Sequence, residues 1–98
     1  MNVISFKKIR DFYEVHPDAK TYLTAWFKTV KRASWKDFNA VKKDFRTVDM
    51  VGDSRLIFNI KGNHYRLIAR ISYEHKRLMI KWLGTHAEYD KIDAVNVE

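Results

Sequence analysis

The amino-terminal half of the chain carries apolar residues at helical spacing. Residues 2–5 are typical of a short strand, and Ser5 is suited to cap a short helix after it. From Asp18 to Ala33 a 3.6-residue period places lysines opposite an aromatic stripe, which predicts an amphipathic helix with that stripe in the core. Ser34, with Asp37 three residues on, resembles a capping box and predicts a third, short helix with Trp35 inward.

The carboxy-terminal half shows the period-two alternation of strands. It predicts strands over 55–61, 65–73 and 77–83, with a two-residue turn at Gly62-Asn63. Residues 44–53 are expected to be irregular or weakly extended. Gly84 is expected to end the last strand, and Thr85 with Glu88 repeats the capping-box pattern before a short terminal helix.

This order of elements favours an α+β fold in a single domain, residues 1–98. We expect an antiparallel sheet with the amino-terminal helices packed on one face and a short carboxy-terminal helix. The face predicted to meet the helices is uncharged: Leu56, Phe58, Ile60, Tyr65, Leu67, Ala69, Ile71, Tyr73, Leu78, Ile80 and Trp82.

The opposite face is expected to be basic. Cations on adjacent strands repel one another, so the arrangement costs stability unless an anion offsets it. We interpret this face as a phosphate-binding surface, with a merely solvated face as the alternative. Its predicted members are the cations Lys61, Arg66, Arg70, Arg77 and Lys81, together with Asn59 and an apolar floor of Ile57, Ile68 and Met79.

Composition supports a polyanionic partner. The 98 residues include 19 Lys and Arg against 12 Asp and Glu, a net charge of +7. That balance favours RNA, DNA or an acidic protein, without choosing among them. The lack of cysteine excludes disulfides and Cys-based zinc sites. No apolar run is long enough for a signal peptide or a membrane helix, so we expect a cytoplasmic protein without a membrane partner.

Proton-transfer groups follow the last strand. His86 is expected at the first position of the terminal helix, where free N–H groups attract a phosphate. Tyr89 lies three residues later on the same side, and Lys81 is near enough in sequence to approach. Such a set is sufficient for RNA cleavage without a metal. Spacing alone leaves open a plain capping and packing role, and no His and carboxylate set has metal-ligand spacing, so no cofactor is expected.

The block IKGNHYRLIARI, followed by KWLGTHAEYDKID, resembles the HigB toxins, a branch of the RelE-like superfamily of type II toxin–antitoxin systems. The resemblance is most specific over Phe58–Asp93. It implies an mRNA interferase that cuts translated message in the ribosomal A site, against 30S rRNA. It also implies neutralisation by a helix-turn-helix HigA-type antitoxin, with operator DNA reached only through the antitoxin complex.

The resemblance also implies which residues act. RelE-like toxins use the open sheet face and a catalytic residue near the carboxy terminus, which places catalytic roles on Arg66, Lys81, His86 and Tyr89. Which group is general acid and which is general base stays open. Expected RNA contacts are Asn59, Lys61, Asn63, Arg70, Arg77 and Lys91.

Two other functions remain open. A toxin of this fold can act by binding a protein target without cutting RNA, as the gyrase-poisoning ParE relatives do. A degenerate member can serve only as a corepressor with its antitoxin, or as an RNA-binding module. The His86 and Tyr89 pair beside cations favours the nuclease, because a pure binder does not need it.

Overall fold

The computed structural model describes all 98 residues and contains one five-stranded sheet. The helices are α1 (Phe6–Val15), α2 (Lys20–Arg32), α3 (Phe38–Asp44) and α4 (His86–Tyr89), with a 3-10 turn at Pro17–Ala19. The strands are β1 (Asn2–Ile4), β2 (Asp49–Val51), β3 (Arg55–Ile60), β4 (Tyr65–Ser72) and β5 (Arg77–Thr85). Their order is β1-β5-β4-β3-β2, antiparallel except for the parallel pair β1 and β5. The expected α+β fold is confirmed, and no helix combines the length and apolar character needed to cross a bilayer.

The second helix starts slightly later than the periodicity predicts. The 3-10 turn precedes it, so α2 begins at Lys20 rather than Asp18. Most of its apolar stripe is core, because Leu23, Trp26 and Val30 are buried, whereas Tyr22 of the same stripe is 49% exposed.

The third helix has a different cap from the predicted one. Its N-cap is Asp37, whose carboxylate accepts a hydrogen bond from the backbone N–H of Ala40 at 2.9 Å. The Ser34 hydroxyl instead accepts a hydrogen bond from Lys76 Nζ, so the predicted Ser34 capping box is wrong. Trp35 is buried, as expected, but it lies before the helix rather than in it.

The helix-facing side of the sheet is apolar as predicted, with one exception. Trp82 lies on the opposite face, and Leu83 packs against the core in its place. The cause is a bulge in β5, where Trp82 pairs with Ile68 and Lys81 is left without a partner on β4. One extra residue reverses the alternation beyond it. The buried members of this side are Leu56, Phe58, Ile60, Tyr65, Leu67, Ala69, Ile71, Leu78 and Ile80.

Asp49–Val51, expected to be irregular or weakly extended, forms a short edge strand against β3. Two other features of the sheet differ from prediction. The β3–β4 connection has four residues, 61–64, because Lys61 and Gly62 both take left-handed backbone angles, at φ 54° and 61°. Strand β5 does not end at Gly84 but continues one residue further.

The face opposite the helices, called the open face below, is partly covered. Ile57 and Ile68 are only 7% and 0% exposed, although they lie outside the main core. The predicted exposed apolar floor is therefore wrong for these two residues. Arg55 donates hydrogen bonds to the backbone oxygens of Ala94, at 3.1 Å, and Val97, which places the carboxy-terminal segment on this side. The rest of the open face has two ends, one beside α4 and one beside the β4–β5 turn.

Candidate active site

Helix α4 is held in place by hydrogen bonds at its start. Thr85 Oγ1 accepts from the Glu88 backbone N–H at 3.1 Å, and Glu88 Oε1 accepts from the Thr85 backbone N–H at 2.8 Å. This confirms the predicted capping box. The backbone hydrogen bond from Thr85 lowers the pKa of Glu88, because it stabilises the charged carboxylate. The His86 N–H also donates to the His64 carbonyl at 3.1 Å, which ties α4 to the start of β4.

Arg66 is the centre of a side-chain cluster at this end of the open face. It lies on β4, directly opposite Gly84 of β5. Its guanidinium carbon is 4.6 Å from the centroid of the Tyr89 ring, a cation–π contact. Its Nη2 is 3.4 Å from His86 Nε2. Arg66 therefore contacts two of the other three residues expected to be catalytic.

The contact between Arg66 and His86 indicates the imidazole tautomer. A guanidinium only donates hydrogen bonds, so Nε2 accepts and the proton of the neutral ring lies on Nδ1. His86 Nδ1 is 3.6 Å from Asp90 Oδ2, so this carboxylate can orient the ring. Asp90 is absent from the sequence-predicted site, although its i,i+4 spacing from His86 is the signal that identifies such a pair.

These groups are suited to phosphoryl transfer. The His86 side chain is 41% exposed, so a substrate can reach the imidazole. Arg66 carries a permanent charge and can bind a phosphate through two N–H groups. The Tyr89 hydroxyl can donate a proton. No group of three or more His, Asp or Glu side chains is arranged to hold a metal ion.

Trp82 and Gly84 support Tyr89 from behind. The Trp82 and Tyr89 rings meet edge to face, with centroids 6.1 Å apart. A Cβ atom at position 84 would lie 2.5 Å from two carbons of the Trp82 ring, so only glycine leaves room for the indole. Sequence reasoning missed both roles, because alternation alone places Trp82 in the core and reads Gly84 as a strand breaker.

A small cavity of about 60 Å³ lies beside the cluster. Its lining includes Asn59, a predicted RNA contact, which faces Arg66 directly across β3 and β4. Thr47 and Asp49 also line it. Sequence reasoning missed these two because their segment has no clear period, and only the pairing of β2 with β3 brings it to the site.

Lys61 has a structural partner. Its Nζ is 2.9 Å from Asp18 Oδ2, and the Tyr65 hydroxyl donates to Asp18 Oδ1 at 2.6 Å. These hydrogen bonds, that from Lys61 first, lower the pKa of Asp18 to about 2. Lys61, predicted to contact RNA, therefore ties the β3–β4 connection to the 3-10 turn before α2. Asn63, in the same connection, and Lys91, just after α4, are exposed.

Arg70 and Arg77 lie at the other end of the open face. They line a groove beside the β4–β5 turn together with His75. Arg66 lines the small cavity beside Tyr89 instead. The predicted basic residues therefore border separate pockets rather than one.

Lys81 lines a different cavity from the one beside Arg66. As the bulged residue of β5, it lines a cavity of about 460 Å³ between that strand and α1, with Lys8 and Asp11 at its rim. No hydrogen bond or ion pair connects Lys81 to Arg66 or His86. The predicted approach of Lys81 to His86 therefore stays a prediction.

Comparisons with known proteins agree with this architecture. A family model described as HigB toxin, the RelE-like toxic component of a toxin–antitoxin system, matches residues 19–92. The chain is 32% identical to the mRNA interferase toxin HigB of Escherichia coli strain K12, over 98% of this chain and 94% of that protein, and equally to mRNA interferase HigB of Shigella flexneri. It is 24% identical to mRNA interferase HigB of Escherichia coli strain CFT073, over 94% and 91% of the two chains. The chain therefore belongs to the HigB family of RelE-like toxins.

Proposed function

We propose that this protein is an mRNA interferase, an endoribonuclease that cleaves message without a metal ion. The relatives that carry the mRNA interferase name span nearly the whole chain. The observation that carries the proposal is the contact of Arg66 with both His86 and Tyr89 on a solvent-accessible face.

The proposed reaction is transfer of the phosphoryl group to the neighbouring ribose hydroxyl. When the phosphate draws the Arg66 guanidinium away from His86, Nε2 is free to take the proton of the 2′-hydroxyl, whose oxygen attacks the adjacent phosphorus. Arg66 stabilises the charge that develops on the phosphoryl oxygens. The bond from phosphorus to the 5′-oxygen breaks, and Tyr89 protonates that oxygen. The products carry a 2′,3′-cyclic phosphate and a 5′-hydroxyl.

The natural setting of this reaction is proposed from the family. We infer that the message is presented in the ribosomal A site, against 30S rRNA. Neutralisation is by an antitoxin of the HigA helix-turn-helix type, through which the complex reaches operator DNA. Asn59, Asn63 and Lys91 are proposed as RNA contacts near the cut, and Arg70 and Arg77 as contacts further along the strand, where their charges attract phosphates.

The test is induction of the protein in cells without antitoxin. The wild type is expected to arrest growth and to leave discrete cuts in translated messages, mapped by primer extension. His86→Ala is expected to lose both effects, with cleavage reduced by about 10²–10⁴-fold. The matched control is His75→Ala, which removes an exposed imidazole from the β4–β5 turn.

Each of the other possible outcomes would support a different conclusion about the function. If His86→Ala arrests growth as fully as the wild type, the site assignment is wrong. Arrest without discrete cuts would indicate a toxin that binds a protein target. Absence of arrest by the wild type would indicate a corepressor or an RNA-binding module.

A further inference from the structure

Strand β5 has a free edge over its second half. Strand β1 pairs with it only at residues 77–79, whereas β4 pairs with it as far as residue 85. No strand therefore lies beside residues 80–85 on the β1 side. A strand edge presents N–H and C=O groups on which a further strand can form.

Leu83 directs its backbone groups to this edge. The N–H of Ile71, on β4, donates to the Ser54 carbonyl at 2.8 Å, on the β3 side. Successive residues of a strand point their backbone groups to opposite sides, so the even-numbered residues of β4 bond to β5. Trp82 and Gly84 pair with two of these residues. The N–H and C=O of Leu83, which lies between them, therefore point away from β4.

Helix α1 forms the other wall of a groove along this edge. Four of its residues, at i, i+3, i+4 and i+7 spacing, line the groove opposite residues 80–83, and they are Lys8, Asp11, Phe12 and Val15. Each wall is about 10 Å long, from rises of about 1.5 Å per helical residue and 3.3 Å per strand residue. That length matches roughly three or four residues of an extended segment. Val15 is 74% exposed, so its side chain is available to such a segment.

The groove is positively charged. The Asp11 carboxylate is paired with Lys7 Nζ at 2.6 Å, and Lys81 has no carboxylate partner. Lys8 Nζ donates to the Ile80 carbonyl at 3.1 Å, so a side chain rather than a strand occupies this acceptor of the edge. Bulges and lysines protect an edge from unwanted pairing. Here they disfavour a second copy of a chain whose net charge is +7, and they favour an acidic segment.

We propose that the antitoxin adds an extended acidic segment to the free edge of β5. The family is the toxic component of a toxin–antitoxin system, so an antitoxin is the partner expected for such a surface. The backbone of the segment bonds to Leu83, an apolar side chain packs on Val15, and a carboxylate meets Lys81. The backbone bonds supply affinity, and the side-chain contacts supply specificity. The inference rests on the proposed function, which includes neutralisation by an antitoxin, and names the surface where the antitoxin binds.

The first test titrates the purified cognate antitoxin against the full chain carrying His86→Ala, which allows the toxin to be produced alone. Val15→Asp in this background should weaken binding at least about 30-fold, because it places a carboxylate against an acidic, partly apolar segment. The matched control is Met50→Asp, which alters an exposed apolar residue on β2, at the opposite edge of the sheet. It should change the affinity less than about threefold.

Thermal unfolding verifies that each variant folds. If Val15→Asp does not fold, Lys81→Glu reverses a charge in the same groove and should weaken binding about tenfold.

Amide hydrogen exchange, measured by NMR, distinguishes strand addition from contact between side chains alone. The Leu83 N–H has no strand beside it in the free protein. In the complex it should exchange at least about tenfold more slowly, because a hydrogen bond to the added strand protects it.

Several results would overturn the inference. They are unchanged affinity in the folded variant, equal losses in Val15→Asp and Met50→Asp, no binding of the antitoxin to the parent, and unchanged exchange at Leu83 in the complex. A dimer of the toxin that Val15→Asp dissociates would assign the edge to a second copy. Unchanged antitoxin affinity with weaker RNA binding would assign the groove to RNA. Failure of the proposed function is seen separately, as absence of cuts by the wild type in primer extension.

Discussion

The two ends of the open face carry similar charges but have different neighbours. Arg66 and Arg70 are four residues apart on β4, and both point to the same side of the sheet. Arg66 meets His86 and Tyr89, because α4 folds over that end. Arg70 instead faces Arg55, whose guanidinium is bonded to the carboxy-terminal segment. Positive charge is therefore common to both ends, and what distinguishes the α4 end is a set of proton-transfer groups in contact with its cation.

Replacement of the two arginines tests this difference most directly. Arg66→Ala is expected to lower the cleavage rate about 10²–10³-fold, because it removes the charge that stabilises the transition state. Arg70→Ala should weaken RNA binding in a salt-dependent way and leave the rate at saturation nearly unchanged. Cleavage of a translated message in a reconstituted system measures both. Equal losses of cleavage rate in Arg66→Ala and Arg70→Ala would mean that the two ends of the open face do not differ in function.

Gly84→Ala tests the support behind Tyr89. The new Cβ would collide with the Trp82 ring, so the indole must move and Tyr89 loses its contact. We expect a loss of about 1–3 kcal/mol in the free energy of unfolding, the usual cost of overpacking. Misplacement of the cluster should lower the cleavage rate roughly 10–100-fold.

The double variant Gly84→Ala with Trp82→Leu separates the two effects. A smaller side chain relieves the collision and should restore much of the stability. It does not restore the ring that meets Tyr89, so the cleavage rate should stay low. Full activity in Gly84→Ala alone would contradict the proposed positioning.

Lys81→Ala tests whether the candidate site extends to the bulge in β5. Because Lys81 lines the cavity beside α1 and has no bond to the cluster, its removal should reduce cleavage only about two- to threefold, as expected for a screened charge. The same kinetic assay applies, with Lys8→Ala as control from the rim of that cavity. A loss as large as that of Arg66→Ala would restore the catalytic role implied by the family resemblance.

The hydrogen bonds of Asp18 with Lys61 and Tyr65 should affect the stability of the fold rather than catalysis. The folded-state pKa of Asp18 is about 2, below the ordinary value of 3.8, so its contribution is complete above the ordinary pKa and is lost as pH falls towards 2. The pKa values of Tyr65 and Lys61 are raised by Asp18, so their contribution is present below their ordinary values and is lost at higher pH. In urea unfolding, the free energy of unfolding should fall more steeply between about pH 4 and 2 in the wild type than in Asp18→Asn.

Cleavage at neutral pH should be little changed in Asp18→Asn, because the carboxylate lies away from Arg66. Identical acid dependence of the urea midpoint in both proteins would show that Asp18 does not stabilise the fold. A large loss of cleavage in Asp18→Asn would show that the position of the β3–β4 connection affects the geometry of the candidate site.

The sequence by itself determined the fold class, the apolar side of the sheet and the capping box of α4. Each depends on local spacing, which is period two for a strand and three residues for the Thr85 and Glu88 cap. Local spacing also brought out His86 and Tyr89, because both lie on the helix that the capping box begins. The role expected of Arg66 came instead from the family resemblance.

Only the tertiary structure decided the remaining features. The bulge at Lys81 turned Trp82 onto the open face, and the pairing of β2 brought Asp49 to the cavity. The bond to Asp18 gave Lys61 a structural partner. Each of these depends on which residues meet across strands or between distant segments, and periodicity in one strand carries no information on its partner's register.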